Sequence, residues 1–407
     1  MNIPPTSPNN ILAASEPFPS SNEAVPLPPL TSLLLPDSID RFKPFLIVDP
    51  KKYSHVNESG ESITTESTDA TEEKCSHAKS MKAERLLLFL QRPSADQNEL
   101  SDLLWPGVPA DVDPCLRMFS WQIMLGYLPT RKERRLQTLQ KKRLEYLDLV
   151  KMYCGPVSPS EEQLKYLRQV RMDLPRLNSE EKLFSTPRIQ QMMERSLYVF
   201  AIRHPATGYV QGINEILTPF YVVFLNAYFP DAIVDDLVVD EIDQGLLNVV
   251  EADAYWCFSK IMVAVQDHYI FGQPGIQRNI RKLKDIVKRV DVPLFDHLAK
   301  QNMDFLQFAF RWMNCFLTRE FPMACVIRLW DTYIAERAEG FSSFHVYVCA
   351  AFLILWRNVL RDMDFQQMVL FMQRLPTTTW DAKEVESILA EAYVMATLYE
   401  PSPNHLT

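Results

Sequence analysis

Glycine is scarce in this 407-residue chain, with 10 in all, against an average of about 7%. Tight hairpins lean on glycine, so its scarcity favours helices joined by short connections. It also leaves little material for phosphate-cradling loops. Neither GxxxxGK[ST] nor GxGxxG occurs, which excludes the usual nucleotide sites. Paired metal ligands are missing too. The seven cysteines include no CxxC, there is no HExxH, and the seven histidines are isolated, so no metal site is expected. Cys257, Cys315, Cys325 and Cys349 lie in apolar helical stretches and read as buried free thiols, suited to a reducing compartment. Positive charge is short as well: the formal charge is -9, which argues against binding nucleic acid. Long apolar runs are absent. Residues 216–229 contain Pro219 and Asn226, and residues 344–356 are too few for a span of about 20 residues. Both read as core helices. The N-terminus shows no basic-plus-apolar leader pattern. The expected setting is cytoplasmic, at most peripheral on a membrane.

What is present is an ordinary globular balance, 47% hydrophobic and 23% charged, in a chain long enough for a sizeable core. The first fifty residues hold eleven of the 29 prolines, and residues 58–73 are acidic and hydroxyl-rich. Such stretches bury too little apolar surface to offset their ordering entropy. Residues 1–78 therefore read as a mostly disordered N-terminal region, residues 79–400 as the folded domain and 401–407 as a C-terminal tail. One apolar run, Phe42-Lys43-Pro44-Phe45-Leu46-Ile47-Val48, stands out in the tail as a docking motif. Beyond it, helix signals recur. Asp96 with Glu99 marks a helix start, Trp105-Pro106 an end. Pro159 and Pro187 fall at first helical positions. Ile189, Met192, Met193, Leu197 and Phe200 repeat at helical spacing. The expected fold is all-α.

Two segments fall in breaks between these helices: Val170-Arg171-Met172-Asp173-Leu174-Pro175-Arg176 and Tyr209-Val210-Gln211-Gly212-Ile213-Asn214. Pro175 disfavours helix at Leu174, and Asn214 is placed to cap the following helix. Polar side chains on irregular backbone between rigid helices are common carriers of function. The two segments resemble the IxxDxxR and YxQGxN motifs of the TBC domain family of Rab GTPase-activating proteins. Flanking stretches agree. Arg117 and Trp121 resemble the family's RxxxW, Gly126-Tyr127-Leu128-Pro129 the stretch after it, and residues 251–258 its mid-domain helix. Arg319-Glu320 and Arg328-Leu329-Trp330-Asp331 resemble its C-terminal half. Arg203-His204-Pro205, residues 273–277 and residues 308–314 point to the member-22-like subgroup. Val170 stands where the family has isoleucine, and the segment before Arg117 is about four residues longer than usual by this comparison.

The resemblance covers about residues 80–400 and implies a two-lobed helical domain. It implies that Arg176 is an arginine finger and Gln211 a glutamine finger, supplied in trans to a GTP-bound Rab, the glutamine standing in for the GTPase's own. Asp173 would hold the guanidinium before docking. Tyr209 would fix the loop, and Gly212 would let the backbone approach the partner. No cofactor of its own is implied, since GTP and Mg²⁺ arrive with the GTPase. A Golgi or other endomembrane setting and adaptors bound through the N-terminal region are further expectations. Taken alone, Asp173 and Arg176 would read as a surface ion pair of little worth, and Gln211 as a loop amide. Arg117 and Trp121 read as packing residues in cation–π contact, Trp256, Trp312 and Trp330 as core, and Asp331 as an internal anchor. The basic run 131–143 reads as a solvated helix face and the acidic run 231–243 as a solvated surface. The rival from another class is a catalytically silent Rab-binding scaffold.

Overall fold

Cap chemistry sets where the helices begin. The computed structural model describes residues 41–48, 72–109, 111–155, 159–177 and 181–399. Most of the N-terminal region assigned to disorder, and the tail 401–407, lie outside them. A short α1 (Lys43–Leu46) precedes α2 (Glu72–Gln91), which starts within the region assigned to the tail. Asp96 accepts from the N–H groups of Asn98 and Glu99 and opens α3 (Gln97–Leu104), as its spacing predicts. At α6 (Glu161–Asp173) the expectation needs correcting. Ser160 and Gln163 form a capping box, so Pro159 lies outside the helix. The Ser160 hydroxyl satisfies an otherwise orphaned N–H, which proline at that place could not do. Pro187 does open α7 (Pro187–Arg203).

Among the described residues there are α-helices, short 3-10 turns and one π-helical turn, Gly340–Phe344, but no β-strand; one isolated bridge pairs Ser94 with Arg131. The helices form two lobes. In the first, α5 (Arg135–Cys154) and α7 pack on α9 (Gln244–Ala264), which lies along α8 (Ile213–Tyr228), while α6 packs on α7. In the second, α10 (Pro274–Val290), α11 (Val292–Lys300) and α12 (Phe305–Cys315) pack with α14 (His345–Leu355) and α17 (Ala382–Tyr399). Capping boxes at Asp304–Gln307 and Asp364–Gln367 open α12 and, after the short α15 (Arg357–Arg361), α16 (Phe365–Gln373). The lobes meet where α8 touches α12 and α13 (Met323–Ala335), and where α13 touches α3 and α4 (Cys115–Met124).

That junction is held by one buried carboxylate. Asp331, fully buried, accepts from Arg117 Nε at 3.1 Å, Trp121 Nε1 at 2.7 Å and the Val108 N–H at 2.9 Å. Arg117 and Trp121 thus converge on Asp331, and the cation–π contact expected between them is replaced by this shared acceptor. Trp330 packs beside it against Trp121, Phe220 and Phe341. The basic run 131–143 departs from expectation in part: Arg131, Arg134 and Lys141 are exposed as a solvated face would have them, but Arg135 and Arg143 are not. Arg135 is buried and donates to the carbonyls of Phe45, Leu90, Pro129 and Thr130. Arg143 is buried and grips Asp253 at 2.8 and 2.6 Å. Five donors in one planar group let arginine collect orphaned carbonyls where lysine could not. The same helix α9 turns Glu251 towards Arg195 and the Tyr146 hydroxyl, which accounts for two carboxylates in an otherwise apolar helix.

The apolar run 42–48 docks on its own domain. Phe42, Phe45 and Leu46 are buried, with Phe42 set edge-on to Phe119 and Tyr228. Arg41 pairs with Asp113 and donates to the Ala227 carbonyl. Asp113 lies in the segment before Arg117, which thus carries the anchor for the N-terminal run.

Candidate functional site

The two motif segments come together at the mouth of the junction between lobes. Helix α6 ends at Asp173, and Pro175 turns the next residues into a 3-10 turn, Leu174–Arg176. Leu174 and Leu177 are buried on either side, so the turn is pinned while Arg176 points outwards with 70% of its side chain exposed. Asp173 beneath it is 4% exposed, with Oδ1 4.0 Å from Arg176 Nη1. Its other oxygen accepts the Tyr209 hydroxyl at 3.1 Å. Burial, reinforced by Asp173, pushes the Tyr209 phenol far above its ordinary range, so it remains a donor. Asp173 therefore ties the arginine turn to the glutamine loop. The ion pair at 4.0 Å is loose, and a guanidinium held this way is free to leave for a stronger anion.

Gln211 is exposed, and its backbone carbonyl accepts from Asn314 Nδ2 at 2.9 Å. Gly212 has φ 102 and precedes the first residue of α8. A Cβ on it would fall 2.2 Å from Asn314 Nδ2 and 3.1 Å from Cys315 Sγ. The glycine is thus required by this chain's own Asn314 and by left-handed backbone. Asn214 departs from expectation. It sits inside the first turn of α8, and its Oδ1 accepts the Gly212 N–H at 3.2 Å. It closes the loop backwards instead of capping the helix.

Several participants carry no local sequence signal. Asn314 lies in the subgroup stretch 308–314, but nothing beside it marks a role 103 positions away. After it, Phe316 and Leu317 adopt φ 50 and 64, a conformation costing about 1–2 kcal/mol per residue without glycine. Both are fully buried, which offsets that strain. The turn delivers Arg319, whose Nε is 3.8 Å from Glu215 Oε1. Burial raises Glu215 to about 7, Arg319 opposes the shift and Asp173 adds to it. Tyr269 donates from its buried hydroxyl to the Asn314 carbonyl at 2.7 Å. The site is therefore two exposed side chains, one cationic and one amide, over a buried frame of Asp173, Tyr209, Glu215 and Asn314. In the acidic run, Asp243 caps α9 and Asp235 accepts from the Leu183 N–H. Among the described residues no His, Cys, Asp and Glu cluster suits a metal ion. No helix of the described residues is long and apolar enough to cross a membrane.

A family model described as the Rab-GTPase-TBC domain matches residues 114–360. TBC1 domain family member 22B of Homo sapiens is 45% identical over 323 residues, 79% of this chain and 63% of that protein. The GTPase-activating protein gyp1 of Schizosaccharomyces pombe is 44% identical over 322 residues, 78% of this chain and 61% of its own length. The chain thus spans a little over three fifths of the curated relatives it matches. A crystal structure of the Ypt/Rab-GAP domain of Gyp1p superposes with a TM-score of 0.73 at 38% identity, covering 79% of this chain and 99% of that one. A flagellar RabGAP TBC domain from Chlamydomonas, at 18% identity and a TM-score of 0.53, shares the fold. The chain belongs to the Rab-GTPase-TBC domain family.

Proposed function

We propose that this chain is a GTPase-activating protein for a GTP-bound Rab, inserting Arg176 and Gln211 beside the nucleotide. The observation that carries this reading is the shared anchor. Asp173 touches both the loosely held Arg176 and the tyrosine that fixes the Gln211 loop, so both side chains are presented together and outwards. GTP hydrolysis is limited by electrostatic stabilisation and by placement of the attacking water. A guanidinium is always charged and offers a planar fork of donors to the phosphate oxygens. An amide both donates and accepts, so it holds a water in line while bonding the phosphate edge. The terminal phosphate would draw Arg176 away from Asp173. Gln211, its carbonyl fixed by Asn314, would keep its side chain aimed. GTP and Mg²⁺ would come with the partner, and this chain would need no cofactor of its own. Regulation of vesicle traffic at the Golgi or another endomembrane follows from the same reading, with adaptors bound through the N-terminal region.

Phosphate release from a panel of GTP-loaded Rabs tests the proposal. Wild-type protein is expected to accelerate at least one Rab. Arg176→Ala and Gln211→Ala are each expected to lose about 10³-fold or more of that acceleration. Full activity in both variants would overturn the finger assignment, and no response from any Rab would favour the silent scaffold.

A further inference from the structure

Phe271 is the most exposed large apolar side chain among the described residues, at 103% of its reference area. It stands in the loop between the 3-10 turn Gln266–His268 and α10, directly before the stretch 273–277. That stretch pins the loop. Gln277 Nε2 donates to the Gly272 carbonyl at 2.8 Å, and the Gln273 N–H to the Ile270 carbonyl at 2.9 Å. Gly272 and Gln273 both have positive φ, 76 and 46. A Cβ on Gly275 would lie 2.4 Å from His268 and 2.5 Å from Asp267, so the glycine lets α10 close onto the turn. Arg278 pairs with Asp267 at 2.7 Å, and Asn279 meets buried His268 at 3.2 Å. A loop pinned at so many points still presents a phenyl ring wholly to water. Preorganised aromatic anchors are a mark of binding surfaces.

The loop is wired to the glutamine finger. Tyr269, two residues before Phe271, donates to the Asn314 carbonyl, and Asn314 donates to the Gln211 carbonyl. A standard interface covers about 800 Å² on each partner, a patch roughly 30 Å across. Two hydrogen bonds and two side chains keep Phe271 within that reach of Gln211.

We infer that Phe271 is an apolar anchor for the GTP-loaded GTPase that the Arg176–Gln211 site serves, and that residues 269–277 form a docking loop which sets partner affinity. The inference rests on the proposed function and assigns the loop to binding, with no part in chemistry. Moderate aromatic burial at an interface corresponds to roughly tenfold in affinity or more.

The test is single-turnover GTP hydrolysis on a responsive Rab in lipid-free solution, titrated with wild type, Phe271→Ala and Phe271→Asp. The concentration for half-maximal acceleration should rise roughly tenfold for Phe271→Ala and further for Phe271→Asp. The rate at saturation and the melting temperature should stay unchanged, since the ring touches nothing. Unchanged half-saturation in both variants, with wild type active, overturns the anchor and leaves the activator reading standing. If wild type accelerates no Rab, both readings fall. If the variants keep full activity in solution but lose binding to anionic vesicles, the loop is a lipid contact and the anchor assignment is overturned.

Discussion

Asp173 and Glu215 are two carboxylates that the same site treats differently. Asp173 has hydrogen-bonding and ionic partners within reach. Glu215 has one loose arginine at 3.8 Å, and burial holds it at about 7 instead of its ordinary 4.5. The folded state therefore keeps a proton that the unfolded chain releases. Stability from this group is full below about pH 4.5 and is lost as pH rises through about 7. Relative to Glu215→Gln, wild type should lose up to roughly 3 kcal/mol between pH 5 and pH 8. Urea unfolding of both proteins across that range measures the difference, and parallel stability curves would refute the assignment. The segments that present Arg176 and Gln211 were legible in the sequence, because two spaced motifs set them apart. Glu215 was not, because its character comes from burial against elements far along the chain.

At the scale of elements, the finger loops are short breaks whose geometry is set from behind. The arginine turn needs only local chemistry, a helix end and Pro175; the sequence predicts the break, although Leu174 keeps helical backbone at φ -57 and ψ -44. The glutamine loop depends on α12. Asn314 fills the space over Gly212 that a side chain would need. Gly212→Ala should therefore displace the loop, lowering activation at least tenfold and stability by about 1–3 kcal/mol. Stopped-flow phosphate release with thermal unfolding separates the two effects. Normal activity from a fully folded variant would show that Asn314 yields at no cost. Cap positions were legible to within two residues: Asp96 caps α3 as expected, while α6 starts at Glu161 and not Pro159, and Gly212 stands at the N-cap of α8 and not Asn214. The basic run 131–143 was misread because charge on a helix predicts solvent, and only tertiary context brings the carbonyls and Asp253 to Arg135 and Arg143.

At the scale of the whole molecule, two helical lobes meet at Asp331, and α8 spans the meeting place. Its first turn carries the glutamine loop and its last turn receives Phe42. Sixteen residues at about 1.5 Å each set those ends roughly 24 Å apart. The N-terminal run thus belongs to the stability of the first lobe and stands away from the fingers. Phe42→Ala should cost about 3–5 kcal/mol in urea unfolding while leaving the saturated rate of activation unchanged. A matching loss of rate would tie the run to the site. All-α architecture followed from glycine scarcity and helical spacing. The placing of residues 42–48 did not, since an apolar run in a proline-rich tail gives no hint of its receptor. The central claim is that Gln211 acts in trans in place of the partner's own glutamine. The measurement that tests it most directly is hydrolysis by a responsive Rab whose switch glutamine is replaced by alanine, with wild-type and Gln211→Ala activator. Strong acceleration by wild type, and its loss by about 10³-fold in Gln211→Ala, is the predicted result. Failure of wild type to accelerate the glutamine-less Rab would contradict it.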